Sequence, residues 1–273
     1  MRQKQIVFPS GEKISALCMG TWYLGENAGG FSKEVALVLE VFDSGCRVFD
    51  TAESYGNGGA ERVLGEALKD CRKDVFLISK VLPENGGYDA VRDSCAQSLE
   101  RLQTDCLDMY MMHWYGHALD LNEMYEAFRD LRRQKMIRYF GVCNFDADEL
   151  NAWIKMVPKE ELGACQLLCP PLHRNHCRQA LNICRKNGVP VMVFFPYESG
   201  HSVFESDVLK KIAEKQNVTP LQTAAAWTFA TKNTGIVFKA QNKKDVRDVF
   251  RAADIVLSPR DKESLNETFP IFS

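Results

Sequence analysis

Short apolar runs alternate with longer amphipathic stretches along this chain. The runs fall at 14–20, 46–50, 75–80, 107–113, 137–142, 165–168, 189–195 and 235–239. They are continuous rather than alternating, and several are rich in Val, Ile and aromatics, as strands buried on both faces are. Between them a helical period recurs at 32–45, 59–70, 88–103, 121–135 and 205–217. In 59–70, Val63, Leu64 and Leu68 share one face and charged residues take the other. Gly45 falls just past the first of these helices, where a C-terminal glycine belongs. Eight strands separated by helices predict an α/β fold, a (β/α)8 TIM barrel. The opening QIVFPSGEKI predicts a β-hairpin ahead of the first barrel strand. A doubly wound sheet would need a glycine-rich phosphate turn after its first strand, and Met19-Gly20-Thr21-Trp22 is not one. No linker or low-complexity stretch interrupts the pattern, so residues 1–273 read as a single domain.

Composition narrows the picture. With 45% hydrophobic and 26% charged residues, the chain matches an ordinary globular protein and excludes disorder, collagen-like repeats and coiled coils. Its 34 basic and 36 acidic residues leave a net charge of -2. That gives neither a footprint for nucleic acid nor a polybasic patch for a membrane. The start MRQKQIVFPSGEK lacks a signal-peptide core, and no apolar run is long enough to span a bilayer. A cytoplasmic protein is expected, its oligomeric state left open. Ten cysteines then read as reduced thiols. Cys165, Cys169, His173, His176, Cys177 and Cys184 cluster, but without paired Cys-x-x-Cys spacing, and no metal is expected. Cys165 reads as the start of a strand and Cys184 as a buried helix thiol. Trp227 reads as helix core, and Lys243-Lys244 as the exposed start of a helix.

In such a barrel the chemistry sits at the C-terminal strand ends. The polar residues there are Asp50, Lys80, His113, Asn144, Gln166 and Lys239. Asp50, Lys80 and His113 follow one another at about one strand–helix unit, so they are expected to face one cup. Tyr55, in the loop after Asp50, is placed to reach it. A phenol titrates near pH ~10 and is a poor acid at neutrality. A neighbouring ammonium favours the phenolate and lowers that value, and a carboxylate can hold the ammonium charged and aimed. A neutral imidazole can hydrogen-bond a substrate oxygen. Together these groups can protonate a developing alkoxide, which fits carbonyl reduction with hydride from a cofactor.

These segments resemble the aldo-keto reductases, from Gly20-Thr21-Trp22 to about Ala253. Phe49-Asp50-Thr51-Ala52-Glu53-Ser54-Tyr55-Gly56 is similar to the family's Asp/Tyr segment. Ile78-Ser79-Lys80 and Met111-Met112-His113-Trp114 are similar to its Lys and His segments. The resemblance implies a tetrad of Asp50, Tyr55, Lys80 and His113, with His113 favouring carbonyl over carbon–carbon double-bond reduction. It also implies a cofactor, NADPH with NADH possible. Gly141-Val142-Cys143-Asn144-Phe145 resembles the strand end whose Asn, with Gln166, holds the nicotinamide carboxamide; Cys143 stands in place of Ser. Phe194, heading Phe195-Pro196-Tyr197, falls where a ring stacks on the nicotinamide. Gly235-Ile236-Val237-Phe238-Lys239 resembles the segment for the adenosine 2′-phosphate, followed by Gln241 and Asn242. Asp245 stands where Arg is often found. Gly20 and Thr21 complete the implied cofactor contacts.

Trp22, Trp114 and Tyr115 are expected to wall a pocket for a small carbonyl substrate. The apolar end formed by Phe269, Ile271 and Phe272 is expected to dock on the barrel rather than form a lid. Two rival readings are a nucleotide-binding regulatory protein with negligible turnover and a metal-dependent barrel hydrolase or lyase. The first must account for a complete tetrad, and the second for strand ends that lack a His/carboxylate cluster.

Overall fold

The computed structural model describes residues 4–27, 29–116, 120–168, 174–194 and 206–269. An antiparallel pair, β1 (Gln5–Val7) and β2 (Lys13–Ser15), opens the chain. Eight parallel strands follow: β3 (Leu17–Gly20), β4 (Val48–Asp50), β5 (Phe76–Val81), β6 (Leu107–Met112), β7 (Ile137–Cys143), β8 (Leu162–Leu167), β9 (Val191–Phe194) and β10 (Thr234–Lys239). They close into a barrel when β10 pairs with β3. Helices α1 (Phe31–Asp43), α2 (Gly59–Leu68), α3 (Tyr88–Arg101), α4 (Leu121–Arg133), α5 (Ala147–Met156) and α6 (Arg174–Asn187) each link consecutive strands. Two helices, α7 (Asp207–Gln216) and α8 (Pro220–Ala230), lie between β9 and β10. Helices α9 (Lys243–Asp254) and α10 (Pro259–Thr268) follow the last strand. The predicted barrel and hairpin are both present.

Local sequence accounts for these elements. All six positions of β5 and of β6 are buried, some side chains filling the barrel and the others lying under helices. In α4, Met124, Ala127, Phe128 and Leu131 form the buried stripe, and Asp120 caps the first turn by accepting from Asn122 N. Capping boxes start α5 (Asp146, Glu149), α8 (Thr219, Gln222) and α10 (Ser258, Asp261). Helix α8 is buried from Gln222 through Phe229, so it lacks the two-faced pattern that marks a surface helix. Its Trp227 is core, as expected. Lys243 and Lys244 stand exposed at the start of α9, also as expected.

Strand β8 begins at Leu162, three residues before the predicted run, so Cys165 lies inside the strand rather than at its start. Gly163 and Ala164 carry no strand signal by themselves; burial on both faces is what makes them strand. The hairpin closes the N-terminal end of the barrel. Phe8 there meets Phe76 and Tyr139 edge-on at 5.6 and 4.7 Å. Toward the chain's other end Phe269 is buried against Trp227, ring centroids 5.9 Å apart, as expected for that residue. Ile271 and Phe272 of the same expectation, like everything from Pro270 on, lie outside the described residues.

Candidate active site

Strand β4 ends on Asp50 and β5 carries Lys80 next to its end; register pairs Asp50 with Ile78, so both side chains reach the same end of the barrel. His113 follows β6 directly, its N–H donating to Val81 O at 2.9 Å. Tyr55 needs a loop that doubles back. Residues Gly56, Asn57 and Gly58 take φ of 56°, 52° and 79°, three left-handed residues in a row. At Gly56 a Cβ would also stand 2.6 Å from Leu24 O, so only glycine fits. Glu53 fastens the same loop: its N–H donates to Lys80 O at 3.2 Å, and its Oε1 accepts from Leu82 N and Asn85 Nδ2 at 2.7 and 3.0 Å. Nothing in the sequence sets Glu53 apart from a surface glutamate.

The four predicted residues converge. Lys80 Nζ donates to Asp50 Oδ1 at 2.6 Å, to Thr51 O at 2.9 Å and to Tyr55 OH at 3.3 Å. An ammonium has three hydrogens, and all three are used. Because the Tyr55 oxygen accepts from Lys80, its own hydrogen points elsewhere. His113 Nε2 lies 3.4 Å from the same oxygen, with the two rings edge-on. The second Asp50 oxygen accepts from Gln166 Nε2 at 2.5 Å. Gln166, expected to hold a nicotinamide carboxamide, is therefore also the group that completes the Asp50 carboxylate.

The electrostatics follow from burial. Asp50 and Lys80 are 2% and 1% exposed. Desolvation pulls the Lys80 ammonium down, but Asp50 and then Tyr55 outweigh it and hold the lysine charged. Burial pushes the Tyr55 phenol up, against the opposing pull of Lys80. This reverses the depressed pKa expected from the lysine alone, because dehydration of the phenolate costs more than one ammonium returns. Tyr55 is thus protonated at neutral pH. Burial, then the Lys80 charge, lowers His113 to about 3, so the imidazole is neutral. Burial raises the Cys143 thiol to about 12, so no thiolate is present beside Lys80.

A depressed histidine makes the fold acid-sensitive. The unfolded chain binds this proton near pH ~6.5 and the folded one only near 3, so stability falls as pH drops through that window. His113→Gln is expected to flatten the loss of denaturation midpoint between pH 6.5 and 4. An unchanged slope would mean that His113 is not buried neutral.

The other predicted positions divide. Thr21 is spent on β4, its N–H and Oγ1 each 3.0 Å from Asp50 O. Gly20 lies beside Lys239 in register. Asn144 takes φ 56°, donates its N–H to Gln166 O, accepts Leu168 N at 3.1 Å and lies 3.2 Å from Cys143 Sγ through Nδ2. Asn242 caps α9 with its side chain, and Gln241 N donates to Asp245 Oδ2 at 2.9 Å. Phe194 ends β9 half-buried; Phe195, Pro196 and Tyr197 lie outside the described residues. Trp114 stacks on His113 at 5.5 Å, Tyr115 meets Phe145 edge-on, and Trp22 stacks on Tyr23. Trp22 and Trp114 are 40% and 44% exposed, large apolar surface left at the mouth.

Among the described residues no group of His, Cys, Asp and Glu could hold a metal ion, and Cys169, His173, His176 and Cys177 lie outside the described side chains. Among them, too, no helix is long and apolar enough to cross a membrane.

Asp50, Tyr55, Lys80 and His113 thus gather at the C-terminal face of a closed parallel barrel, and the comparisons with known proteins identify the family that this barrel belongs to. The model of the Aldo/keto reductase family matches residues 16–268. Methylglyoxal reductase YeaE of Escherichia coli (strain K12) is 32% identical over 99% of this chain and 96% of its own. An aldo-keto reductase of Mycobacterium avium (strain 104) is 28% identical over 84% of this chain and 78% of its own. The crystal structure of an aldo-keto reductase from Klebsiella pneumoniae in complex with NADPH superposes with a TM-score of 0.91, at 34% identity over 99% of this chain and 96% of that one. The thermostable aldo-keto reductase Tm1743, crystallised with the inhibitor epalrestat, gives a TM-score of 0.91 at 32% identity, over 98% of this chain and 100% of that one.

The chain belongs to the aldo/keto reductase family. It is an enzyme that reduces carbonyl groups with NAD(P)H, and the regulatory reading without turnover is not favoured.

Proposed function

We propose that this enzyme reduces small aldehydes and ketones with NADPH, Tyr55 acting as the general acid. The hydrogen-bonded set Lys80–Tyr55–His113, with Asp50 and Gln166 behind it, carries this reading. The strand ends from β7 to β10 fit the cofactor, since they carry an amide, a second amide, a half-buried ring and a cation in sequence: Asn144, Gln166, Phe194 and Lys239. When bound, the reduced nicotinamide supplies the hydride. Asn144 and Gln166 would hold its carboxamide, Phe194 its ring, and Lys239 the 2′-phosphate.

The chain's own groups do the rest. His113, neutral, donates from Nε2 to the carbonyl oxygen and aims it at Tyr55. The Tyr55 hydrogen, directed away from Lys80, passes to that oxygen as charge develops there. The phenolate left behind faces the Lys80 ammonium, which Asp50 keeps in place; solvent later returns the proton. Such prearranged charge is strongest where water is excluded, and Asp50, Lys80 and His113 are all buried here.

The methylglyoxal reductases among the relatives make a small dicarbonyl the first substrate to try. NADPH consumption with methylglyoxal, a bulky aromatic aldehyde and an aldose is expected to be fastest with the first. The exposed Trp22 and Trp114 predict measurable turnover of the second, since an open aromatic wall selects weakly. Absence of NADPH oxidation with every carbonyl would overturn the proposal.

A further inference from the structure

Lys239 and the aromatic loop after β3 make a three-layer stack at the rim of the cup. Trp22 and Tyr23 lie face to face, centroids 4.4 Å apart and 15° from parallel. Lys239 Nζ lies 3.9 Å from the centre of the Tyr23 ring. An indole already covers one face at contact distance, so the ammonium occupies the other. The order is Trp22, Tyr23, Lys239. Among the described residues no carboxylate forms an ion pair with Lys239, so the ring face is where its charge rests.

The backbone is bent to make this stack. Tyr23 has φ 75°, a left-handed conformation that a tyrosine adopts only where its surroundings enforce it. The enforcement is visible: Leu24 N donates to Thr21 O at 2.9 Å, and Gly25 N to Glu34 Oε2 at 2.7 Å. Tyr23 is 45% exposed, so burial of the ring does not account for its position.

A lysine head on four methylenes is mobile, and a phosphate that captures it must first fix it. An aromatic face does that fixing beforehand by attracting the cation, while the ammonium hydrogens turned outward remain free for an anion. The neighbouring groups make such help necessary. Asp245 already takes the Gln241 N–H, and Asn242 Oδ1 takes those of Lys244 and Asp245, so three of the N–H groups at the start of α9 are already used.

We propose that Tyr23 is a specificity-determining positioning residue: it holds the Lys239 ammonium in place for the 2′-phosphate and so sets the preference for NADPH over NADH. This rests on the assignment of Lys239 to that phosphate.

The test is the dissociation constants of NADPH, NADH, 2′,5′-ADP and 5′-ADP for wild type, Tyr23→Leu, Tyr23→Phe, Lys239→Ala and the Tyr23→Leu/Lys239→Ala double variant. Tyr23→Leu is expected to weaken NADPH and 2′,5′-ADP by about three- to tenfold, the range of one cation–π contact, with NADH and 5′-ADP unchanged. Tyr23→Phe should bind as wild type does, because the ring face persists. Tyr23→Leu should add nothing once Lys239 is alanine. A Tyr23→Leu loss shared equally by both nucleotide pairs, no loss, or tighter NADPH binding would each overturn the inference while Lys239→Ala still weakens NADPH. If Lys239→Ala binds NADPH normally, the assignment of Lys239 itself falls, and the inference with it.

Discussion

Tyr55→Phe is expected to lower kcat/KM for carbonyl reduction by at least about 100-fold, the lower end of what a positioned general acid contributes. That factor is ~2.7 kcal/mol of transition-state stabilisation. The substitution removes one oxygen and keeps the ring that packs edge-on to His113. Lys80 loses one of three acceptors but keeps Asp50 and Thr51, so the cup beneath it stays assembled. NADPH affinity and the thermal midpoint should therefore stay close to wild type. This separates loss of the proton donor from loss of the site. The direction of the Tyr55 pKa matters here. A phenol held protonated by burial is loaded for donation at every pH an assay is run at, so reduction by wild type should not decline through the neutral range. Near-normal turnover by the phenylalanine variant would remove Tyr55 from the mechanism and leave His113 or water as the donor.

Much of this arrangement is legible in the sequence because parallel barrels write their plan repetitively. Eight apolar runs are found as eight strands, and residues at the ends of consecutive runs meet in one cup because the closed order of strands leaves them nowhere else to go. Tyr55 is harder to place from sequence, since its position depends on three successive left-handed residues; the Gly56-Asn57-Gly58 triplet is the signal that permits them. What remains hidden is how side chains pair. Gln166 is legible as a polar strand-end residue, yet its bond to Asp50 crosses the barrel between residues distant in sequence. Glu53 looks like a solvated acid and is a clamp on the Tyr55 loop. The sign of the Tyr55 shift is also invisible, because composition records the neighbouring lysine and says nothing of the water excluded around both. Tyr23 is the plainest case. It reads as one aromatic among several, and only its backbone angle and its two stacked partners mark it.

Lys80→Met should damage both the enzyme and the fold. The lysine is 1% exposed and its ammonium neutralises Asp50, itself 2% exposed. Methionine fills a similar volume without the charge. Asp50 then keeps only the Gln166 amide, and a buried carboxylate without its counter-charge costs about 3–5 kcal/mol. For a domain whose whole stability is about 5–15 kcal/mol, the denaturant midpoint should fall steeply. Catalysis loses more than the fold does, because the phenolate formed at Tyr55 no longer faces a cation; a further drop of about 100- to 1000-fold is expected, as for removal of one preorganised donor. The double variant Lys80→Met/Asp50→Asn separates the two effects. Its neutral amide removes the stranded charge and can still accept from Gln166, so most of the stability should return while activity does not. If the double variant instead loses the sum of what each single change loses, Asp50 and Lys80 act independently, and the ion pair is not what holds the floor of the site. If Lys80→Met melts as wild type does, the Asp50 carboxylate is being neutralised by some other route, and the burial that also raises Tyr55 and depresses His113 must be less complete than these contacts imply.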